Sequence, residues 1–357
     1  MKRLILFFAL ALVGCAATAQ QPQGQPPQGQ RPRPPQGQQP PQAQQPRRVM
    51  FDATNPNAHD PVMAKEGDTY YVFTTGNGVS VMKSKDLKTW EPAGVCIPEC
   101  PAWIQEKLPN FRGNNFWAPD IIYYQGQWHL FYAASAFGRN TSVIGHATSP
   151  TLDQNRPDYK WTDRGCMIQS VPYRDMWNAI DANIVIDENG TPWMDFGSFW
   201  NGIMMVKLKD DLSGVASPEE WRNPCRRERT YGLDDANAGD GAVEAPFVYK
   251  HGDWYYLFVS FDACCRGLQS TYNIVVGRSK SAIGPFLDMD GKDMAIGGGT
   301  CVMKGNGTDY VAVGHCAAYT IDGKDLLVTH AYQATDGASK LVVREIKWNN
   351  DWPVLEW

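Results

Sequence analysis

The sequence predicts an all-β fold, a five-bladed β-propeller, on three observations. One phrase recurs five times: an apolar strand, a Gly-containing turn, an aromatic-rich strand, a third strand, then a Trp or Phe near its edge. The aromatic anchors Tyr70, Trp128, Trp193, Trp254 and Tyr310 follow one another at intervals of 56 to 65 residues. Helical apolar periodicity is nearly absent. A four-stranded unit repeated at that spacing is the mark of propeller blades. A sandwich or jelly roll would not repeat one phrase five times.

Ahead of the repeats the composition is different. Met1-Lys2-Arg3 and the apolar run Leu4 to Val13 read as a secretory signal, too short to span a bilayer as a mature helix. Two exits are written into it. Ala17-Thr18-Ala19 is a small-x-small cleavage site, giving a signal peptide over 1–19. Leu12-Val13-Gly14-Cys15 resembles a lipoprotein box, which would end the signal before Cys15 and tether the protein to a membrane through that lipidated cysteine. Either exit predicts export, to a periplasmic, extracellular or outer-membrane-anchored location. Residues 20–48 are almost entirely Gln, Pro, Gly and Arg. Such a segment cannot bury enough apolar surface to offset its ordering entropy, so it is expected to be a disordered spacer. Residues 49–357 are then the propeller, a catalytic domain expected to be monomeric.

The five passes can be placed one by one. The first runs from Asp60-Pro61-Val62-Met63 through the Lys65 to Asp68 turn and Thr69 to Phe73 to Trp90. The second has Ala118 to Tyr124, the Gln125-Gly126-Gln127 turn, Trp128 to Tyr132 and Val143 to Ser149. In the third, Asp181 to Ile186 precedes Glu188-Asn189-Gly190 and Pro192 to Phe196. Glu244 to Tyr249, His251-Gly252-Asp253, Trp254 to Phe258 and Ile274 to Ser279 form the fourth. The fifth, and weakest, takes Thr300 to Lys304, Asn306-Gly307 and Tyr310 to Val313. Gly, Asn or Asp turns between β-branched and aromatic runs are hairpin signals.

A net charge of −5 with no basic stripe argues against nucleic acid as a partner. The 13 Trp and 15 Tyr suit sugar-stacking surfaces, but an all-β core accounts for most of them. Nine cysteines in an exported chain favour disulfides over a metal site, since no pair has CxxC spacing. The adjacent Cys264 and Cys265 would close on each other, join two separate bridges or stay as free buried thiols.

The first strand of each blade lines a propeller's central channel. Aligned by their anchors, the five inner positions are Asp60, Ala118, Asp181, Glu244 and Thr300, with Asp181 offset by two. Acids are disfavoured in strands and costly to bury, so three on one axis point to chemistry. Two carboxyl groups across a sugar hydrolyse a glycosidic bond if one is ionised and the other keeps its proton. A third acid raises the proton donor's pKa. Asp120, two residues beyond an inner position, reads as a supporting residue.

Several motifs occur in order: His59-Asp60-Pro61, Phe116-Trp117-Ala118-Pro119-Asp120, Asn178-Ala179-Ile180-Asp181, Phe196-Gly197-Ser198-Phe199-Trp200, Glu244-Ala245-Pro246-Phe247, Cys264-Cys265-Arg266-Gly267 with Ser270-Thr271-Tyr272, and Val276-Gly277-Arg278-Ser279. Over residues 55–345 the chain thereby resembles glycoside hydrolase family 43, and within it the endo-α-1,5-L-arabinanases. The resemblance implies an inverting cleavage of internal bonds in plant cell-wall arabinan. Asp60 would be the general base, Glu244 the general acid, and Asp181 the residue that tunes and orients Glu244. Inversion places base and acid about 6.5–9.5 Å apart, leaving room for water. Trp117 and Phe137 match aromatic positions that pack against arabinose units, and Ser198 is a further substrate-binding candidate. His315 falls where the family places a histidine near a calcium or similar ion in the channel, held mainly by water. The family's Gly-Pro-Gly-His is replaced here by Ala312-Val313-Gly314-His315.

Two rivals share the pattern. An exo-acting α-L-arabinofuranosidase or β-xylosidase would use the same acids behind a more closed cleft. A non-catalytic carbohydrate-binding propeller would be expected to lose at least one acid, and all three are present. The Asn-Asp-Pro and Arg-Asp-Pro signatures of fructan-cleaving propellers are missing.

Overall fold

Each repeated phrase folds into an antiparallel meander, as its alternation and turns dictate. The computed structural model describes residues 51–357. The signal over 1–19, the Cys15 alternative and the 20–48 spacer lie outside the described residues. In chain order the first blade contains β1 (Val62–Glu66), β2 (Thr69–Thr74), the two-residue β3 (Gly76–Asn77), β4 (Ser80–Ser84) and β5 (Trp90–Val95). Strands β1, β2, β4 and β5 pair in that order, while β3 pairs with the first strand of the next blade. A short helix, α1 (Ala102–Lys107), follows. The second blade is β6 (Asn115–Tyr124), β7 (Gln127–Ala134), β8 (Ser142–Ser149) and β9 (Thr162–Ser170). The third is β10 (Asn183–Ile186), β11 (Pro192–Phe196), β12 (Ile203–Lys207) and β13 (Trp221–Cys225). In the fourth, β14 (Val243–His251), β15 (Trp254–Phe261), β16 (Asn273–Ser279) and β17 (Thr300–Lys304) pair in sequence. The fifth has β18 (Tyr310–Ile321), β19 (Lys324–Gln333) and β20 (Ser339–Glu345), followed by the hairpin β21 (Lys347–Asn349) and β22 (Trp352–Val354). The fold is the predicted five-bladed propeller.

The fifth repeat is out of phase with the sequence reading. Thr300 opens β17, the outer strand of blade four, and Tyr310 opens β18, the inner strand of blade five. The Asn306-Gly307 signal joins two blades, not two strands. The fifth blade's own hairpin turns at Asp322 and Gly323, both with positive φ (53° and 75°), the conformation a two-residue type I′ turn requires. The irregular stretch between β16 and β17 hid an outer strand from pattern reading.

The fourth strand of blade five comes from the other end of the repeat array. Ala58 N–H donates to Ser339 C=O (3.2 Å), Leu341 N–H donates to Pro56 C=O (3.0 Å), and Asn57 bridges Lys340. This overlap closes the ring and covers the edge of β20.

The cores lie between blades. Phe131 and Ile144 of blade two pack with Met194, Phe196 and Val206 of blade three. Met63 and Val72 of blade one pack with Leu326 and Val328 of blade five. Trp90, Trp128 and Trp193 are all buried there, so the aromatic excess is chiefly core. The expected disulfides are not formed: the eight cysteines of the described residues are free. Cys96, Cys225 and Cys316 are buried and pack as small hydrophobes.

Candidate active site

One backbone feature recurs on the inner strand of every blade. Asp60, Ala118, Asp181, Ala245 and His315 all have positive φ, at 51°, 42°, 60°, 56° and 51°. Non-glycine residues occupy this left-handed region at a cost, so the surroundings must hold them there. Four of the five give their N–H to a side chain of the preceding blade. Ala118 donates to Thr75 Oγ1 (2.8 Å), Ala245 to Asp181 Oδ2 (3.1 Å), His315 to Ser260 Oγ (2.7 Å) and Asp60 to His330 Nδ1 (3.1 Å). The ladder breaks at the same place: register shifts occur between Trp117 and Asp120, Glu244 and Phe247, and Gly314 and Ala317. The inner strands of blades two, four and five thus kink at the head of the channel. The comparison also corrects the sequence alignment. Asp181 occupies the same backbone position as Asp60, and Glu244 is the displaced acid, one residue ahead of Ala245. His315, not Thr300, holds the fifth inner place.

Asp60 is 8% exposed and surrounded by histidines. Its Oδ2 lies 2.8 Å from His59 Nδ1 and accepts the Thr75 hydroxyl at 2.5 Å; its Oδ1 lies 3.0 Å from His315 Nδ1. Burial opposes its charge, but His59 and His315 outweigh burial and hold the carboxyl well below the usual range. Asp60 is therefore ionised. Burial likewise works against charge on His315, yet Asp60, with Asp181 and Glu244 nearby, lifts that ring to about 8. His330 is fully buried, and burial together with the charge on His59 pushes it well below the usual value. It stays neutral and accepts the Asp60 N–H.

Glu244 and Asp181 are shifted the other way. Glu244, 8% exposed, is raised by burial. Donors partly offset this: Ser198 Oγ donates to Oε2 (2.7 Å) and Tyr272 OH to Oε1 (2.8 Å). Asp181, 6% exposed, is held well above the usual range by burial, with Glu244 and Asp60 adding repulsion against the pull of His315. The site thus pairs one carboxylate held ionised with two carboxyls that keep their protons more tightly. Different environments have pushed three like groups apart, which is how acid and base roles are separated.

All three acids open into one cleft of about 700 Å³, a size typical of small-ligand sites. Trp117 and Phe137 line it, and Phe137 projects from the rim at 78% exposure. Ser198 also lines it, largely buried, with its hydroxyl on Glu244. Cys264 and Cys265 face the same space, with Sγ atoms 2.7 Å apart. The hydrogen bond from Cys264 and the nearby His59 ring bring the Cys265 thiol down to about 5. Asp120 lies deeper, tying blades two and three: its Oδ2 accepts Ile184 N–H (2.8 Å), and burial raises it to about 7.

Sequence reasoning missed Thr75, His330, Tyr332 and the role of Tyr272. Tyr332 OH sits 3.1 Å from His59 Nε2 and 3.3 Å from His330 Nε2, and receives the Cys265 N–H at 2.8 Å. His330 and Tyr332 alternate with apolar residues on β19, a pattern indistinguishable from core. Tyr272 was visible in the Ser270-Thr271-Tyr272 motif but carried no assigned contact. For a metal, the group His59, Asp60 and His330 has ligand atoms within 4.8 Å of one another among the described residues. Two imidazoles and a carboxylate suit a transition ion better than calcium. His315 has Nδ1 turned to Asp60, so any ion there would meet its other ring nitrogen.

The model of glycosyl hydrolases family 43 matches residues 54–353. The chain is 47% identical over 306 residues to the extracellular exo-α-(1→5)-L-arabinofuranosidase of Cellvibrio japonicus, covering 85% of this chain and 88% of that protein. It is 39% identical over 311 residues to the extracellular endo-α-(1→5)-L-arabinanase 1 of Bacillus subtilis, covering 85% and 90%. Among solved structures, the Cellvibrio cellulosa α-L-arabinanase complexed with arabinohexaose superposes with a TM-score of 0.82 at 46% identity, covering 85% of this chain and 96% of that one.

Proposed function

This chain belongs to glycosyl hydrolase family 43, and from that premise we propose that it hydrolyses the α-1,5-L-arabinofuranosidic bonds of arabinan with inversion. The observation that carries the reading is the opposed protonation of Asp60 and Glu244 in one cleft. Asp60, ionised between His59 and His315, takes a proton from the attacking water. Glu244, protonated by burial, gives its proton to the leaving sugar oxygen. Asp181 stands beside Glu244 as its tuning partner and accepts the Ala245 N–H, which orients the acid's strand. Trp117 and Phe137 present aromatic faces to the sugar chain. The relatives at 47% and 39% identity carry arabinan-directed names and are called extracellular, which supports both the substrate and an exported enzyme. Among the described residues no helix is long and apolar enough to cross a membrane.

The sequence motifs favour internal cleavage. The second reading, release of units from a chain end, is favoured by the exo-acting name of the 47% identical relative. A time course on linear debranched arabinan, with Asp60→Asn as control, decides between them. A rapid fall in viscosity with mixed oligosaccharides marks endo action; short product from the first minutes with viscosity unchanged marks exo action. No cleavage above the control sinks the arabinan assignment. A calcium ion at His315, shelled mainly by water, remains part of the proposal. Its positive charge would help keep Asp60, the acid in contact with His315, ionised. Chelation is then expected to lower Tm, with recovery on adding calcium.

A further inference from the structure

The two oxygens of Asp60 stand in unequal surroundings. Oδ2 has two close partners: the Thr75 hydroxyl donates to it at 2.5 Å, and His59 Nδ1 lies 2.8 Å away. Oδ1 has His315 Nδ1 at 3.0 Å. His330 Nδ1 is 3.7 Å from Oδ1, but that nitrogen accepts the Asp60 N–H and has no proton to give. A carboxylate offers about four lone-pair positions, two on each oxygen. Those of Oδ2 are filled, and one on Oδ1 stays open.

Thr75 is fixed in this arrangement from several directions. It stands between β2 and β3, and β3 pairs with the inner strand of blade two through Gly76 and Asn77. Its own N–H donates to His59 C=O (2.9 Å). Its Oγ1 accepts the Ala118 N–H (2.8 Å). Ala118 is buried at a φ of 42°, so the direction of that amide is set by the bend of its strand. A hydroxyl has a single hydrogen. With the amide taking a lone pair of the oxygen, that hydrogen is left for Asp60. The half-buried Thr75 also lines the cleft beside the base.

We infer that Thr75 is the positioning residue of the general base: its hydroxyl, aimed by Ala118, occupies Oδ2 and leaves Oδ1, on the His315 side, to take the proton from water. The inference rests on the reading of Asp60 as the base of a glycoside hydrolase. In that step the water oxygen bonds to the anomeric carbon as the glycosidic C–O bond breaks. The proton of the water goes to Asp60 Oδ1, and the proton of Glu244 goes to the leaving oxygen. Thr75 keeps its own hydrogen throughout. It holds the plane of the carboxylate, and with it the line from Oδ1 to the water. A misplacement of about 1 Å between reacting groups costs about 10²-fold in rate. Thr75 bonds the base and not the acid, so its loss slows the attack without altering how the leaving group departs.

The test removes the hydroxyl and keeps the shape. In Thr75→Val, kcat on linear arabinan is expected to fall by about 10–100-fold, the scale of one hydrogen bond to a charged group, with KM nearly unchanged. Arabinohexaose affinity, measured by calorimetry in the Glu244→Gln background, should match that background alone and so report an intact cleft. Thr75→Ser restores the donor and is expected to return kcat to within about threefold of the parent. An aryl arabinoside with a nitrophenolate leaving group needs little help from an acid. The valine variant should lose as much on that substrate as on arabinan, whereas Glu244→Gln should be largely relieved. Where valine prevents folding, Thr75→Ala carries the same comparison. Parent-like kcat in the valine or alanine variant overturns the inference. So does a serine variant as slow as valine, or a loss that vanishes on the aryl substrate. A parent inactive on arabinan fails the substrate reading alone, and the aryl glycoside then decides the role of Thr75.

Discussion

At the residue scale, the chemistry depends on two carboxyls of one ordinary type being driven in opposite directions. Burial alone would raise both, so the decisive difference is the ring of histidines around Asp60. Replacing Glu244 by Gln keeps the shape and removes the proton; kcat is expected to fall by about 10²–10⁴-fold with oligosaccharide affinity retained. Full activity in that variant would refute the acid assignment. The pH profile follows from the signs. Asp60 must be ionised, and its pKa is depressed, so activity is lost only when pH falls through that low value. Glu244 must be protonated, and its pKa is raised, so activity is lost as pH climbs through the raised value. Tyr272 stabilises the ionised form of Glu244 by donating to it. Tyr272→Phe is therefore expected to move the alkaline limb of kcat/KM upward by about one pH unit, the scale of a charged hydrogen bond. A limb that stays put or moves down contradicts the contact. The three acids were legible in the sequence because acids interrupt apolar strands. Thr75, His330 and Tyr332 were not, because nothing local separates a buried polar partner from a core residue.

At the scale of elements, four of the five inner strands hand an N–H at the channel head to a side chain of the preceding blade. Below that tier a second set of bonds joins the blades: Asn183 Nδ2 donates to Asp120, and Val248 N–H donates to Asn183 Oδ1 (2.9 Å). Asp195 on β11, across from Asn183 in the register, has no hydrogen-bond partner for either carboxyl oxygen. It is fully buried, and burial with the nearby Asp120 holds its proton well above the usual range. A carboxyl raised in the folded state favours folding below its unfolded pKa and costs stability as pH rises toward the folded value, at about 1.4 kcal/mol per unit. Asp195→Asn removes that dependence and keeps the shape. Its Tm is expected to exceed that of the parent by several degrees at pH 8 and by much less at pH 5. An equal shift at both pH values would show that Asp195 does not titrate this way. The strands were readable from alternation and turn residues, whereas the phase of the fifth repeat was not. Asn306-Gly307 and Asp322-Gly323 carry equal local signals, and only pairing partners reveal which of them closes a hairpin.

At the scale of the whole molecule, a propeller is stable only as a closed ring, since an open one exposes two strand edges and half of a blade interface. Here the seal is the short segment Pro56–Ala58 on the edge of β20. Deleting residues 1–49 is expected to leave Tm unchanged, while deletion through Ala58 should lower it markedly and promote aggregation. Comparable melting of the two truncations would place the seal elsewhere. The sequence by itself determined the all-β class, the number of blades, the three acids and the family resemblance, because each is written in local periodicity or in contiguous motifs. Only the tertiary structure decided that Asp181 and Asp60 are equivalent, that Glu244 is the displaced acid, that His315 completes the ring of inner positions, and that histidines set the charge of Asp60. Those properties arise between residues tens to hundreds of positions apart. Burial and electrostatic coupling act through space, and the order of residues along the chain does not record which groups will meet.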